Sequence, residues 1–526
     1  MVQSRLLKSS VKPIMHVIIL SQRHAINRSR LLPPLCPVFF KLGFKFKLVP
    51  QYQSPPPKKI MQSHSSKRRN DDQAKNIRDR EGKRRKTRHD EADDILTLQR
   101  TKNLQPRPLD RARDRARDRP SDHWPTAASN AAPLSKKVEE IISKGNWTFL
   151  CAEAAKQHRS SFMSGNAIKC TVNLSKYTLG TYNAVFELSF SDHTFWVARI
   201  RLWGDADCET EMLSEIATMR MVNARTSIPV PTVFTYNCDA NNLFGYPYML
   251  MGALPGKHLD DQFAFSVPTS FQPKIAAQLA KYVWELSQIT FDGSGRIWCG
   301  YELDEEPQVI SFPVLEGEIG PFNSSRAYFF GIRQEINRAV HDQHLNDEDW
   351  PQWLASCEVL TRAIPLMISP QFRRGPFPLY HRDFHYNNIL VDDDFNITGA
   401  LDWSGARTVP VERFAAYADL MTYPLLSEEE NRPIVEFRSL FISAYRQLEA
   451  ASKASFSLSD VFDSTLPEVI YRWDAGVPRN ARLARRNALW VLHLLYGSDT
   501  TFDNYKVRQR KQGKIGRHKL RVSKGL

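Results

Sequence analysis

The 526-residue sequence lacks three features that would define its class directly. Its seven cysteines are scattered and no two form a CxxC pair, which argues against a zinc site or a disulfide framework and favours reduced thiols. No apolar run reaches the ~18 residues that a membrane-spanning helix needs. The first 70 residues contain no Asp or Glu but 14 Lys or Arg, which is typical of a targeting segment or a disordered basic arm.

Positive charge is concentrated at the two ends of the chain. The formal net charge is +15, yet residues 136–505 contain 33 basic and 45 acidic side chains, a net charge of −12. Residues 506–526 contain nine basic side chains and no acidic one. Nucleic acid binds where positive charge is concentrated on the protein surface. The sequence therefore allows nucleic acid as a partner of the basic termini but not of the acidic central domain.

The first 135 residues are basic and of low complexity, and we predict that they are disordered. The acid-free start is compatible with an organelle transit peptide, whereas Lys67–Arg69 and Lys83–Lys86 are spaced like a bipartite nuclear-import signal. A third interpretation is an upstream extension that the mature protein does not contain. We predict an intracellular, cytoplasmic location, with mitochondrial and nuclear targeting as alternatives.

Short runs rich in β-branched and aromatic residues occupy the chain between residues 166 and 252. One amphipathic helix, at 207–224, interrupts them, and the chain becomes mainly helical after residue 252, for example at 273–289 and 432–450. This order predicts an α+β fold with two lobes, a small antiparallel sheet crossed by one helix and a larger helical lobe. The predicted strands are 168–174, 184–190, 195–202, 233–236 and 248–251.

The predicted boundaries follow from these changes in pattern. They are a basic segment at 1–135, a β-rich lobe at 136–252, a helical lobe at 253–505 and a basic tail at 506–526.

The strongest local signal runs from His381 to Trp403. Two apolar runs surround an acidic turn, which indicates a β-hairpin. If the hairpin is symmetric about Phe395, Asn388 lies opposite Asp402 at its open end. Carboxylate and amide oxygens are ligands that Mg²⁺ accepts beside nucleotide phosphates. Asp383, five residues before Asn388, adds a carboxylate that could accept a proton from a hydroxyl group, so the pattern suggests phosphoryl transfer.

This segment, HxDxxHxxN followed by Leu-Asp-Trp, resembles the aminoglycoside phosphotransferase and choline kinase family, particularly its many fungal members. Four further segments resemble that family in the same order, and the resemblance covers about residues 166–500. They are 196–200 (WVARI), 226–231 (TSIPVP), 245–251 (GYPYMLM) and 409–414 (VPVERF). The resemblance implies a protein-kinase-like fold that uses ATP and Mg²⁺.

By this resemblance, Asp383 is the catalytic base, and Asn388 and Asp402 hold Mg²⁺. Arg199 takes the place of the lysine that contacts the nucleotide phosphates, with Arg201 as an alternative. Glu215, in the crossing helix, would form an ion pair with that arginine, and Glu209 and Glu211 of the same helix are alternatives. We expect His381 and His385 to brace the loop through hydrogen bonds.

Two further parts of a nucleotide site follow from the same resemblance. Gly180, in the turn that joins two strands, would lie in the loop that covers the phosphates, although a single glycine indicates little beyond a turn. Tyr248, Met249 and Met251 would form the strand that leads into the hinge, whose backbone would bind adenine. Residue types alone do not distinguish this strand from an ordinary buried one.

Two departures separate the chain from protein kinases. Asp402-Trp403-Ser404 replaces Asp-Phe-Gly, and Val409 and Pro410 follow too closely for a long activation segment. We therefore predict a phosphotransferase that acts on a hydroxyl group of a small molecule, and the alternative is a kinase-like protein that binds nucleotide without transferring phosphate. The net charge of −12 would suit a cationic acceptor, but net charge does not locate a pocket. The sequence identifies neither the acceptor nor the oligomeric state.

Overall fold

The structure is a computed structural model, and it describes residues 119–124, 132–162, 167–203, 207–259, 267–315, 317–416, 428–452 and 457–505. The two predicted targeting signals and the basic tail lie outside these residues. None of the helices in this part of the chain has the length and apolar composition that spanning a bilayer requires.

One antiparallel sheet forms the small lobe. Among the described residues it contains five strands in the order β1-β2-β3-β5-β4, and all five overlap the runs of β-branched and aromatic residues from which strands were predicted. The first strand is longer than predicted because it is an edge strand, where polar residues face solvent, and it contains a bulge between Val172 and Tyr177. The strands are β1 (Cys170–Leu179), β2 (Asn183–Phe190), β3 (Phe195–Arg201), β4 (Val233–Asn237) and β5 (Tyr248–Gly252).

Two helices, α1 (Ala132–Lys144) and α2 (Trp147–Phe162), cover one face of this sheet. Leu150 and Ala154 of α2 belong to the same buried apolar cluster as Phe186 and Trp196 of the sheet. Val138 and Ile141 have helical spacing and are buried in the same cluster, but the sequence analysis did not predict that these helices pack on the sheet. This face of the sheet is therefore buried under helices rather than open to solvent.

A short upstream segment contacts the opposite face of the sheet. Arg119 donates to the buried carboxylate of Glu187 through Nε at 3.0 Å, and the backbone N–H of Ser121 donates to the same carboxylate at 3.0 Å. Glu187 pairs with Val197 across β2 and β3, so it shares a face with Arg199. Burial would raise the pKa of Glu187, but these hydrogen bonds outweigh it and lower the pKa. Part of the segment predicted as disordered thus docks on the sheet.

The crossing helix, α3 (Cys208–Arg225), lies within one residue of its predicted bounds. Met212, Ile216 and Met219 are buried, as their helical spacing predicted. They belong to the apolar cluster that also contains Met249 of the sheet and the core of the large lobe. The crossing helix therefore packs with the large lobe as well as with the sheet.

The large lobe is mainly helical, as predicted. The packed pairs include α4 with α8 and α6 with α11. The helices are α4 (Gln272–Ser287), α5 (Ser325–His344), α6 (Trp350–Met367), α7 (Val411–Phe414), α8 (Glu428–Ser452), α9 (Leu458–Phe462), α10 (Leu466–Trp473) and α11 (Ala481–Tyr496). The predicted α+β class, with a small antiparallel lobe, one crossing helix and a larger helical lobe, is confirmed.

Short strands of the large lobe position the loop between residues 381 and 388. Two small sheets, in the orders β15-β12-β7 and β14-β13-β6, enclose this loop. The strands are β6 (Lys257–His258), β7 (Thr290–Phe291), β8 (Arg296–Trp298), β9 (Gln308–Ile310), β10 (Phe312–Pro313), β11 (Glu318–Ile319), β12 (Phe377–Tyr380), β13 (Ile389–Val391), β14 (Ile397–Ala400) and β15 (Arg407–Thr408).

The β13–β14 hairpin exists, but its predicted register was wrong by one residue. Asn388 lies opposite Leu401, whose N–H donates to the Asn388 carbonyl at 2.8 Å, and not opposite Asp402. The prediction assumed a hairpin symmetric about Phe395. The turn is instead centred on Asp394, and a bulge at Thr398 adds one residue to the second strand. A positive φ of 57° at Phe395 accompanies this turn.

Candidate active site

Arg199 connects the small lobe to the large lobe. Its side chain is 9% exposed; one guanidinium nitrogen pairs with Glu215 of α3, and another donates to Asp402 Oδ1 at 2.9 Å. When the Asn183 side-chain amide is oriented with its oxygen toward Arg199, Asn183 Oδ1 accepts a hydrogen bond from Arg199 Nε at 3.1 Å. The pairing with Glu215 is the one expected from the sequence, whereas nucleotide binding by Arg199 and Glu215 stays a prediction.

Strand alternation explains why Arg199 reaches these partners. Ala198 and Ile200 belong to the core under α1 and α2, so Arg199 projects from the other face of β3, toward α3. Burial would lower the pKa of Arg199, but the carboxylates of Glu215 and Asp402 outweigh it and raise the pKa. The guanidinium therefore stays charged between two carboxylates.

Arg201, the alternative cation, has different partners. It pairs with Glu211 at the start of α3, and its guanidinium lies 5.2 Å from the ring centre of Tyr182. Of the two arginines, Arg199 is the one that contacts Asp402, so the structure favours Arg199 for a role next to that carboxylate.

Asp402 follows β14 in a left-handed conformation, with φ of 56°. Its side chain is 41% exposed, and Oδ1 accepts from Ser404 Oγ at 2.5 Å in addition to Arg199. The next residue, Trp403, is buried, and its indole N–H donates to the carbonyl of Ala400 at 3.1 Å. This anchor fixes the backbone that presents the Asp402 carboxylate.

Asp383 and Asn388 meet in the loop after β12. Asn388 Nδ2 donates to the Asp383 carbonyl at 2.8 Å and lies 3.5 Å from Asp383 Oδ2. The same carboxylate oxygen lies 3.5 Å from His385 Nε2, and the Asp383 side chain is 51% exposed. Burial would raise the pKa of Asp383, but His385 first, and then His381 and Arg382, outweigh it and lower the pKa. The carboxylate is therefore ionised at neutral pH and open to solvent.

His381 connects this loop to the strand that carries Asp402. It is buried; its Nδ1 accepts from the Asp383 N–H at 3.3 Å, and its Nε2–H donates to the Leu401 carbonyl at 3.0 Å. These two bonds fit the neutral imidazole, and burial lowers the pKa of His381. His385 acts locally, since its Nδ1 accepts from the Asn387 N–H at 3.1 Å. Both histidines thus brace the loop.

The donor atoms of Asn388 and Asp402 fit a hard cation. Asn388 Nδ2 donates to Asp383, so Asn388 Oδ1 is available as an acceptor. Asp402 is partly exposed, and both of its hydrogen bonds, from Arg199 and Ser404, go to Oδ1 and not to Oδ2. Within the described ranges, no group of three or more His, Cys, Asp or Glu side chains forms a metal cluster. A bound Mg²⁺ would therefore depend on one amide, one carboxylate and ligands from nucleotide and water.

The loop of Gly180 lies between β1 and β2, as predicted. The Gly180 N–H donates to the Asn183 carbonyl at 2.9 Å, and a Cβ added at Gly180 would meet only this oxygen, at 3.7 Å. The fold therefore does not require a glycine here for steric reasons.

The three residues predicted to lead into the hinge face opposite sides of β5. Tyr248 belongs to the core under α1 and α2, whereas Met249 and Met251 face the crossing helix. Because β5 lies between β3 and β4, the backbone of this strand is paired on both sides. The chain leaves the sheet after Ala253, whose N–H still donates to the Phe195 carbonyl at 3.3 Å, and residue types gave no signal of this boundary.

Asn183 and Ser404 are the polar partners that the sequence interpretation missed. Asn183 pairs with Arg201 across the strands, which places it beside Arg199, so pairing the predicted strands would have found it. Ser404 lies in the segment already recognised as a departure from Asp-Phe-Gly, but its contact with Asp402 depends on a turn that the sequence does not specify.

Part of the chain is similar in sequence to known proteins. A subtelomeric hrmA-associated cluster protein of Aspergillus fumigatus is 30% identical over 169 residues, which are 32% of this chain and 32% of that protein. Altered inheritance of mitochondria protein 9 of Candida tropicalis, named as mitochondrial, is 27% identical over 126 residues, 23% of this chain and 20% of that protein. The chain thus matches about a third or less of the length of these relatives.

One similar solved structure is a thermostable mutant of aminoglycoside phosphotransferase APH(4)-Ia in complex with ADP and hygromycin B. It is 15% identical in sequence and has a TM-score of 0.38, and the match covers 66% of this chain and 99% of that chain. Residues 174–413 match the phosphotransferase enzyme family, which confirms the resemblance seen in the sequence. Residues 174–413 are therefore similar to the phosphotransferase enzyme family.

Proposed function

We propose that the protein transfers the γ-phosphate of ATP to a hydroxyl group of a small molecule, with Mg²⁺ as cofactor. The observation that carries this proposal is the contact of Arg199 with Asp402, together with the His381 bridge from the strand of Asp402 to the loop of Asp383. A small-lobe cation, a hard-oxygen pair and an exposed carboxylate are thereby held in one connected site. Phosphoryl transfer needs this combination of charge stabilisation and positioning.

In this mechanism Asp383 orients the acceptor hydroxyl and receives its proton as the new oxygen–phosphorus bond forms and the bond between the γ-phosphorus and the bridging oxygen of ADP breaks. Arg199, held by Glu215, provides positive charge for the phosphates. Mg²⁺, when bound at Asn388 and Asp402, would neutralise charge on the phosphates.

We assign adenine recognition to the linker after β5. Gly252 and Ala253 still donate to the sheet, to Thr232 at 2.9 Å and to Phe195 at 3.3 Å. Leu254 to Gly256 come next. Pro255 has no N–H and its carbonyl accepts from Thr398 Oγ1 at 2.5 Å, so the proposed adenine contacts are the backbone groups of Leu254 and Gly256. This assignment moves the hinge contact a few residues beyond Tyr248, Met249 and Met251, which then line the sheet behind it.

The decisive experiment compares two carboxylates in the same region. Purified protein with Mg²⁺ should consume ATP in the presence of an acceptor from a metabolite and aminoglycoside panel. Asp383→Asn should lower kcat by about 10²–10⁴-fold, because the proton acceptor is lost, while nucleotide affinity is kept. Asp393→Asn is the matched control, because Asp393 lies in the exposed hairpin turn and pairs only with Lys257 among the described residues. Equal turnover in all three proteins would refute the proposal.

A nucleotide-binding protein without transferase activity is the second candidate. It is favoured by the engagement of Asp402 Oδ1 by both Arg199 and Ser404. Thermal stabilisation by ATP and Mg²⁺ without turnover across the panel would support it.

For location, the mitochondrial name of one relative favours the mitochondrial alternative over the cytoplasmic prediction.

A further inference from the structure

Three arginines lie together beside the loop of Asp383. Arg382 immediately precedes Asp383, and Tyr380, two residues earlier, pairs with Arg407 between β12 and β15. Arg413 stacks on the Tyr380 ring at 4.6 Å and donates to its hydroxyl at 3.0 Å. Because paired residues on neighbouring strands project to the same face, Arg407 and Arg413 share one side of β12.

Their charge is only partly compensated. Arg413 Nε pairs with Asp474 at 2.7 Å. Neither Arg382 nor Arg407 forms an ion pair with any carboxylate in the described part of the chain. Arg407 packs instead on the Phe312 ring, with its guanidinium carbon 4.1 Å from the ring centre, and its buried Nε has no hydrogen-bond partner. Arg382 is exposed along the backbone of Gly405.

The arginines also repel one another. Burial lowers the pKa of Arg407, Tyr328 and Asp474 oppose this, and the neighbouring charges of Arg382 and Arg413 lower the pKa further. An anion placed between the guanidinium groups would offset this repulsion and occupy the free donors. Guanidinium groups match carboxylate and phosphate oxygens in bidentate geometry, so an oxyanion is the chemistry that fits.

We propose that Arg382 and Arg407, with Arg413 beside them, bind the carboxylate or phosphate group of an acidic acceptor whose hydroxyl faces Asp383. The proposal rests on the proposed function and names its substrate class, a hydroxy acid or a phosphorylated alcohol. Arg382 and Asp383 are both exposed, and the Arg382 charge is near enough to help lower the pKa of Asp383, so one small molecule can reach both side chains. The net charge of the domain suggested a cationic acceptor, whereas the charges next to Asp383 favour an anionic one.

Direct binding tests the site without relying on turnover. The full-length protein, saturated with ADP to fill the nucleotide site, is titrated calorimetrically with inorganic phosphate. Arg382→Gln and Arg407→Gln should each weaken phosphate binding about tenfold or more, because each removes a charge-assisted hydrogen bond. Arg326→Gln is the control, since Arg326 is an exposed arginine that contacts the Phe330 ring. Circular dichroism checks that each variant is folded. Equal affinity in all four proteins would overturn the proposal.

Steady-state kinetics then distinguish the sources of the anion. Hydroxy acids, sugar phosphates, aminoglycosides and choline are compared as acceptors. We expect turnover of an acidic acceptor, with KM raised about tenfold by Arg382→Gln and kcat changed less. Turnover of a cationic acceptor with a KM that neither variant alters would overturn this inference and leave the proposed function intact. Phosphate binding that depends on both arginines, without turnover of any acceptor, would instead count against the proposed function.

Discussion

Arg199 is a buried cation that two carboxylates from different elements share. Lysine would offer one ammonium group, whereas the planar guanidinium reaches Glu215, Asp402 and Asn183 through separate nitrogens. The replacement of lysine by arginine therefore preserves the charge and adds a fixed geometry. It also makes the stability of the site depend on one side chain.

Substitution of Arg199 measures this dependence. Arg199→Ala should lower the free energy of unfolding by about 3–5 kcal/mol, because Glu215, which is 3% exposed, is left buried without its partner. Arg199→Lys keeps the charge and should lose less. Urea denaturation gives both values, with Arg326→Ala as an exposed control. Similar midpoints for Arg199→Ala and Arg326→Ala would contradict the interpretation of Arg199 as a shared, buried cation.

The sequence located most of the candidate site because its residues are tied to recognisable spacing. Asp383 and Asn388 fall in one continuous motif, and the family resemblance selected Arg199 and its partner Glu215. The opposition of Asn388 and Asp402 was wrong because a one-residue bulge has no signature in residue type. The arginine pair beside Asp383 was missed because Arg407 reaches it only through the pairing of two short strands.

At the scale of elements, the linker between the lobes is constrained more tightly than its glycines suggest. Gly256 has φ of 108°, and a Cβ there would lie 2.5 Å from Thr398 Oγ1 and 2.7 Å from the Val391 carbonyl. The linker is thus pressed against the β13–β14 hairpin that follows Asn388. The position of the linker, which we propose binds adenine, and that of the hairpin are therefore set together.

Substitutions of Gly245 and Gly256 distinguish the cost of a positive φ from the cost of a steric contact with the hairpin. Gly245 has a similar φ of 95°, but a Cβ added there would meet no atom within 4 Å, so Gly245→Ala should cost only about 1–2 kcal/mol for the left-handed backbone. Gly256→Ala should cost more and also weaken ATP binding, because the linker must move away from the hairpin. Chemical denaturation and nucleotide titration measure the two effects. If both variants lose the same free energy of unfolding and bind nucleotide as tightly as the wild type, the contact between Gly256 and the hairpin does not constrain the linker.

Elements were predicted better than their packing. Strands and the crossing helix followed from periodicity, which reports the buried face of a segment. Periodicity does not report what covers that face, so the packing of α1 and α2 on the sheet could not be predicted. The same limit applies to the upstream contact of Arg119 with Glu187.

In the molecule as a whole, two apolar clusters meet at the sheet. One contains α1, α2 and one face of the sheet, and the other contains the crossing helix and the large lobe. The contacts of Arg199 with Glu215 and Asp402 connect the two clusters through polar groups. The two faces of the sheet therefore belong to separate cores, and the large lobe shares its core with the crossing helix.

Separate cores predict separate opening reactions. Amide hydrogen exchange should give one opening free energy for α2, β2 and β3 and a different one for α3, α4 and α8, because cooperative units follow contiguous packing. Arg199→Ala should increase exchange most at the boundary between the two groups. A single opening free energy for both groups would indicate one cooperative unit instead.

The packing of α1 and α2 also determines which piece of the chain can be produced as a soluble fragment. The family match spans residues 174–413, yet a fragment with these ends would lack both helices and α8 to α11. Phe186, Leu188 and Trp196, now buried, would form an apolar surface open to water, and such surfaces drive aggregation. A fragment for expression should therefore start before Arg119 and extend through Tyr505.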